Sequence, residues 1–197
     1  MAEKHTNKKG KLVVISGPSG VGKSTICAAV IKRVDNAFLS VSATTRPQGQ
    51  GEVDGENYIF LTEEQFKEKI RNEEFLEYAE VFENYYGTLW AQINDAMDEG
   101  KTVIFEIDVQ GALSIKRVYA EVIMIFILPP SQMDLEKRMA DRGRGEDTET
   151  ARHRLELAGQ ETASAWQHYD HMVINADVEL AIEEVIGIIQ TNPGEKK

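Results

Sequence analysis

Short apolar runs recur along this chain, and each is followed by a stretch in which apolar residues return every three or four positions. Leu12-Val13-Val14-Ile15 opens the series and reads as a strand buried on both faces. A helix is predicted from Ser24 to about Arg33, then strands at Phe38–Ser42 and Tyr58–Leu61. Thr62–Gln65 has capping-box spacing before a helix with Phe66 and Ile70 on one face. Phe75–Phe82 reads as extended and Asn84-Tyr85-Tyr86-Gly87 as a turn. Leu89, Ile93 and Met97 predict a helix from about Leu89 to Asp98, ended by Gly100. The apolar strand Thr102–Asp108 finishes in acid and precedes a short helix from about Gln110. Val122–Leu128 is the next strand; Pro129-Pro130 stops it, and Ser131 caps a helix with Asp134 in its first turn. Arg142–Asp147 is a charged, Gly-rich break, after which helix resumes over Thr148–Trp166. Met172–Ile174 is a last strand, and Val178, Ile182, Val185 and Ile189 share one face of a final helix.

Buried strands alternating with helices predict an α/β fold with a mainly parallel sheet covered on both faces. Ala43–Gly87 breaks that rhythm and reads as an insertion at the carboxyl ends of the sheet strands, where such folds bind ligands. The Arg-rich break near Arg142 is the natural lid. At 197 residues the chain is one domain with room for a real core.

Between the first strand and the first helix lies Gly17-Pro18-Ser19-Gly20-Val21-Gly22-Lys23-Ser24, followed by Thr25: the pattern G-x-x-x-x-G-K-[ST] in its required strand–loop–helix setting. Glycines let successive N–H groups turn inward as an anion nest, and the helix start adds unpaired N–H groups and a positive dipole end. Lys23 is placed to reach the β- and γ-phosphates of a nucleoside triphosphate, and the Ser24 hydroxyl to ligate Mg²⁺.

Charge and composition narrow the partners. A formal net charge of −11 argues against non-specific nucleic-acid binding and requires positive charge to be focused locally. The single cysteine, Cys27, excludes an internal disulfide and suits a reducing cytoplasm. No apolar run reaches membrane-spanning length, and the basic start MAEKHTNKKGK has no apolar segment behind it, so it reads as a loose tail. A monomer or a homodimer is expected. Glu106 and Asp108 end a buried strand, from which a carboxylate can reach a metal-bound water or a substrate. Arg138, Arg142, Arg144, Arg152 and Arg154 cluster around the break; by spacing alone they fit a solvated charge stripe and a phosphate-seeking lid equally well. His168 and His171 lack the partners of a metal site, and Trp90 and Trp166 are expected to pack.

Several further stretches carry a resemblance. Ser42-Ala43-Thr44-Thr45-Arg46, Gly51-Glu52-Val53-Asp54-Gly55, Phe75-Leu76-Glu77, Asn84-Tyr85-Tyr86-Gly87-Thr88, Glu106-Ile107-Asp108-Val109-Gln110-Gly111, Ile127–Ser131 and Val173-Ile174-Asn175 resemble the guanylate kinase family, in order and spacing, from about Lys11 to Ile189. The resemblance implies a P-loop NTPase-type core (about residues 11–42, 95–130 and 155–190), an inserted mixed α/β subdomain for the nucleoside monophosphate (about 43–94) and a helical lid (about 131–154). It implies transfer of the γ-phosphoryl of Mg²⁺-bound ATP to GMP, and to dGMP. Arg46, Tyr58 and Tyr86 would hold the acceptor phosphate, with Glu52 in the same motif. Ser42, Glu77 and Thr88 would read the guanine, Asp108 would lie near it, and Glu106 near the metal. Lys23, Arg46, Arg138, Arg142 and Arg154 would be the catalytic cations, and Asn175 would meet the adenine edge. Two departures stand out. Gly49 occupies the place of the family's usual second arginine, and the lid run Arg142-Gly143-Arg144-Gly145 is one residue longer than usual. A non-catalytic protein-binding module of the same fold and a kinase for another nucleotide are the alternatives.

Overall fold

The computed structural model describes residues 10–81, 83–141 and 148–191. Five strands form one parallel sheet: β1 (Lys11–Ser16), β2 (Ala37–Leu39), β7 (Thr102–Glu106), β8 (Ile123–Leu128) and β9 (His171–Ile174), in the order β2-β7-β1-β8-β9. Strand periodicity sorts the side chains of β1 onto two faces. Val13 and Ile15 join the cluster made with helices α1 (Lys23–Arg33) and α7 (Val178–Gln190). Leu12 and Val14 join the opposite cluster, with α3 (Trp90–Asp98) and α4 (Val109–Val118). Dry on both faces, β1, β7 and β8 are continuous apolar runs, which is how the sequence announced them.

The insertion is a second, mixed sheet, in the order β4-β3-β6-β5, with β3 at Ala43–Thr44, β4 at Ile59–Phe60, β5 at Phe75–Val81 and β6 at Asn84–Leu89. Helix α2 (Glu63–Arg71) covers it, and Phe66 stacks on Phe75 and Tyr85. The capping box is formed as predicted: Thr62 accepts from the Gln65 amide while the Gln65 side chain accepts from the Thr62 amide. Gln92, in α3, ties the insertion's entry to the core. Its side chain accepts from the Val41 amide (3.0 Å) and donates to the Val41 carbonyl (2.8 Å).

Three local expectations are corrected. Asn84–Gly87 is not a turn but the start of β6, paired from Val81↔Asn84 onward, with Glu83 taking the positive φ of 61° at the reversal. Gly87 serves packing, since a Cβ there would come within 2.9 Å of the Glu77 carbonyl oxygen and the Phe75 ring. The strand expected to run to Asp108 ends at Glu106; Asp108 caps α4 instead, accepting from the Gly111 amide at 2.8 Å. Trp90 packs edge-on against Tyr119, whereas Trp166 is 66% exposed. Helices α5 (Gln132–Asp141) and α6 (Thr148–His168) flank the predicted break, and Ser131 accepts from the Asp134 amide as a cap should. None of the helices among the described residues is long and apolar enough to cross a membrane.

Candidate active site

One cavity of about 330 Å³ runs from the phosphate loop to the insertion's sheet. Its two ends have different chemistry.

At the loop end, the chain leaves β1 and enters α1 through three glycines with positive φ: Gly17 at 152°, Gly20 at 89° and Gly22 at 103°. Side chains would strain each turn, so the nest of N–H groups depends on them. The Lys23 ammonium donates to the carbonyls of Gly17 (2.5 Å) and Pro18 (3.1 Å), folded back on the loop that carries it. Ser24 Oγ donates to Glu106 Oε1 at 2.6 Å, which brings the hydroxyl and the carboxylate at the end of β7 together. Arg138 and Asn175 meet behind the loop. Both donate to the Val21 carbonyl, at 3.3 Å and 2.8 Å, and Arg138 also donates to the Asn175 carbonyl at 3.0 Å. They brace the loop and are not among the residues that line the cavity in this structure.

At the insertion end, the hairpin of β5 and β6 places Glu77 and Thr88 opposite one another. Thr88 Oγ1 donates to Glu77 Oε1 at 2.7 Å, and Glu77 is only 7% exposed. The other carboxylate oxygen lies over Gly111, where a Cβ would approach it to 2.8 Å. Gly111 thus leaves room for the carboxylate; its only trace in the sequence was one place in a longer motif. Burial pushes the Glu77 carboxyl up to about 7, with the Thr88 hydrogen bond opposing that rise and the Asp108 charge adding to it. Ser42, Tyr58, Tyr86 and Asp108 line the same end.

Between the ends, Arg46 donates to Glu52 Oε1 at 2.7 Å and to the Pro47 carbonyl at 2.8 Å. Its guanidinium lies 5.2 Å from the Tyr58 ring centroid and 5.8 Å from that of Phe60. Glu52 Oε2 accepts from the Gly49 amide at 2.6 Å, so one carboxylate organises the whole 46–52 loop. Burial, first of all, raises the Tyr58 hydroxyl's pKa above its ordinary value.

The structure therefore brings together Gly17, Ser19, Gly20, Gly22, Lys23, Ser24, Ser42, Tyr58, Glu77, Tyr86, Glu106 and Asp108 around one space, with Val21 packed in the core, Thr88 behind Glu77 and the Arg46–Glu52 pair beside Tyr58. Arg142 and Arg144 lie outside the described residues. Arg152 and Arg154 are known here only as turns of α6. Sequence reasoning missed Glu161, which also lines the cavity. The signal was present: Glu161 falls between Ala158 and Ala165 on the buried stripe of α6, an odd place for a carboxylate without a task.

Comparison with known proteins agrees with this geometry. The family model described as guanylate kinase matches residues 9–192. The guanylate kinase of Clostridium perfringens (strain SM101) is 48% identical over 185 residues, covering 94% of this chain and 85% of that protein. The guanylate kinase of Caldanaerobacter subterraneus is 46% identical over 182 residues, covering 92% and 87%. The crystal structure of guanylate kinase from Anaplasma phagocytophilum superposes with a TM-score of 0.78 at 31% identity, covering 93% of this chain and 86% of that one. With a phosphate loop and a buried carboxylate facing one another across a cavity, and with relatives that match nearly end to end, this chain belongs to the guanylate kinase family.

Proposed function

We propose that this chain transfers the γ-phosphoryl group of ATP to GMP, and to dGMP, giving ADP and GDP. The observation that carries the reading is Glu77, a buried carboxylate gripped by Thr88 at the opposite end of the cavity from the phosphate loop. Guanine offers N1–H and the N2 amino group as donors on one edge, which an ionised carboxylate accepts, and an O6 acceptor suited to a hydroxyl such as that of Ser42. Adenine has the opposite polarity on that edge and would leave Glu77 unpaired in a dry pocket, which such sites penalise heavily.

Transfer between two anions is mainly a matter of alignment and charge neutralisation. The loop amides from Gly17 to Thr25 would cradle the donor phosphates, and Lys23 would exchange the Gly17 and Pro18 carbonyls for the β- and γ-phosphates. Arg46, next to Tyr58 and within reach of Tyr86, would turn from Glu52 to the acceptor's phosphate. Arg138, Arg142 and Arg154 would supply the remaining cations as the lid closes, with Asn175 at the adenine side. The donor set at Ser24 and Glu106 suits Mg²⁺: two adjacent hard oxygen ligands, the rest of its shell coming from phosphate and water. When bound with ATP, Mg²⁺ neutralises charge between the β- and γ-phosphates. The cytoplasm, where the buried Cys27 thiol stays reduced, is the compartment proposed.

A coupled ADP-release assay with GMP, dGMP, AMP, CMP, UMP and dTMP as acceptors tests the reading. Turnover is expected with GMP and dGMP. Turnover with AMP or dTMP but not GMP would refute the guanine assignment, and no turnover with any acceptor would favour a protein-binding module.

A further inference from the structure

Among the described residues, Glu161 is the titratable side chain lining the cavity to which the proposed reaction gives no task. It is carried on α6, which packs on α4 and β8, and Ala158 and Ala165 on the same face are small enough to let the helix approach closely. The Glu161 side chain makes no hydrogen bond to a described residue. Lys23 from α1 and Asp108 from the head of α4 line the same cavity and act on its charge, and that charge acts in turn on Tyr169, just beyond the end of α6. Glu77 and Glu106 belong to the same cavity's lining. Behind this wall the Tyr169 and Ser16 hydroxyls are buried, facing one another without satisfying hydrogen-bond geometry.

We propose that Glu161 is a positioning residue of the donor site: across the shared cavity it is one negative charge facing Lys23 until a nucleotide's phosphates engage that lysine, and it then takes up a proton. The inference rests on the donor-site reading given above. Burial pushes the Glu161 carboxyl up to about 7, while the Lys23 charge pulls it down and Asp108 pushes it up. Phosphates arriving at the loop both withdraw Lys23 and add negative charge, and each change disfavours the ionised carboxyl. The proton comes from the buffer. Neutral Glu161 no longer repels the polyanion beside it.

The acceptor half has the opposite linkage. Glu77 must be ionised to accept from guanine, so GMP binding releases a proton where donor binding takes one up. Near neutral pH the two substrates therefore shift protons in opposite directions.

Calorimetric titration with ADP in excess magnesium, in two buffers of different ionisation enthalpy, counts the protons for the wild type and for Glu161→Gln. The comparison cancels any protonation of the nucleotide itself. At pH 7 the wild type should take up as much as about half a proton more than the variant, since a group is half ionised at its own pKa. That excess should fade toward about pH 5, where Glu161 is already protonated. A Glu161→Asp variant should recover part of it. Equal proton counts in wild type and Glu161→Gln, with ADP bound by both, would overturn this inference alone. Failure of the wild type to bind ADP would overturn the donor-site reading and this inference with it. If Glu161→Gln does not fold, the wild-type pH profile decides after subtraction of the nucleotide's own protonation, titrated separately in the same magnesium buffers: a remaining uptake maximum near neutrality supports the proposal and its absence overturns it.

Discussion

Replacing Glu77 by Gln keeps the shape of the side chain and removes its charge, so it separates recognition from stability. In the folded protein the Glu77 carboxyl ionises at about 7 rather than 4.5 because it is buried. A carboxyl with a raised folded-state pKa destabilises the protein at high pH: the penalty is absent below the unfolded value, grows between about 4.5 and 7, and is constant above. A shift of that size corresponds to about 3 kcal/mol. Glu77→Gln should remove most of it, because the amide oxygen still accepts from Thr88 Oγ1. For a domain of this length each kcal/mol moves Tm by about 2–4 °C. The ligand-free variant should therefore melt several degrees higher than wild type at pH 8, with the gap closing near pH 5.

Recognition should move the other way. Gln replaces an acceptor by an amino group facing the guanine donors, so a charge-assisted hydrogen bond is lost and a donor is left unpaired. Together these are worth about 3–4 kcal/mol, or a few hundredfold in KM for GMP. In wild type, KM for GMP should itself rise about tenfold per unit as pH falls below 7, since guanine needs the ionised form. The assays are the coupled ADP-release reaction across pH and a thermal melt of the apoprotein. A Glu77→Gln variant with an unchanged KM for GMP, or one less stable than wild type at pH 8, would refute the reasoning.

Lys23→Ala should lower kcat by about a hundred- to a thousandfold through lost charge stabilisation, and a near-normal kcat in the same assay would defeat the donor-site assignment. Gly49→Arg should lower KM for GMP by about tenfold if the acceptor phosphate lacks one cation. A Cβ there would come within 2.9 Å of Glu52 Oε2, the mobile end of its side chain, so an unchanged or higher KM would mean that the Glu52–Arg46 pair cannot yield. Gln92→Leu leaves both backbone groups of Val41 unpaired at the entry to the insertion and should cost about 2 kcal/mol, read as a Tm lowered by several degrees. Thr62→Ala breaks the capping box of α2 and should cost about 1 kcal/mol in urea unfolding, with KM unaffected.

The five core strands and the phosphate loop were legible in the sequence because their signals are local. An apolar run buried on both faces, a glycine pattern and a following helix are each written in consecutive residues, and Thr62 with Gln65 likewise closed the predicted box. The resemblance to a family added the positions proposed for the acceptor site, which periodicity could not supply. What failed was decided by pairing across the chain. Asn84–Gly87 looks like a turn by residue type, yet it is a strand because β5 lies beside it and Gly87 must clear the Phe75 ring. Asp108 looks like a strand end, yet its side chain is spent on the first turn of α4.

By itself, then, the sequence determined where the core strands and the glycine-rich loop would lie and which carboxylates were available. Only the tertiary structure decided what those carboxylates experience. Glu77 is held by Thr88 from the neighbouring strand and roofed by Gly111 from α4, and Glu161 reaches the same space from the far side of the chain. Desolvation is set by atoms distant in sequence, so no local pattern can announce that two glutamates of ordinary appearance titrate near neutrality.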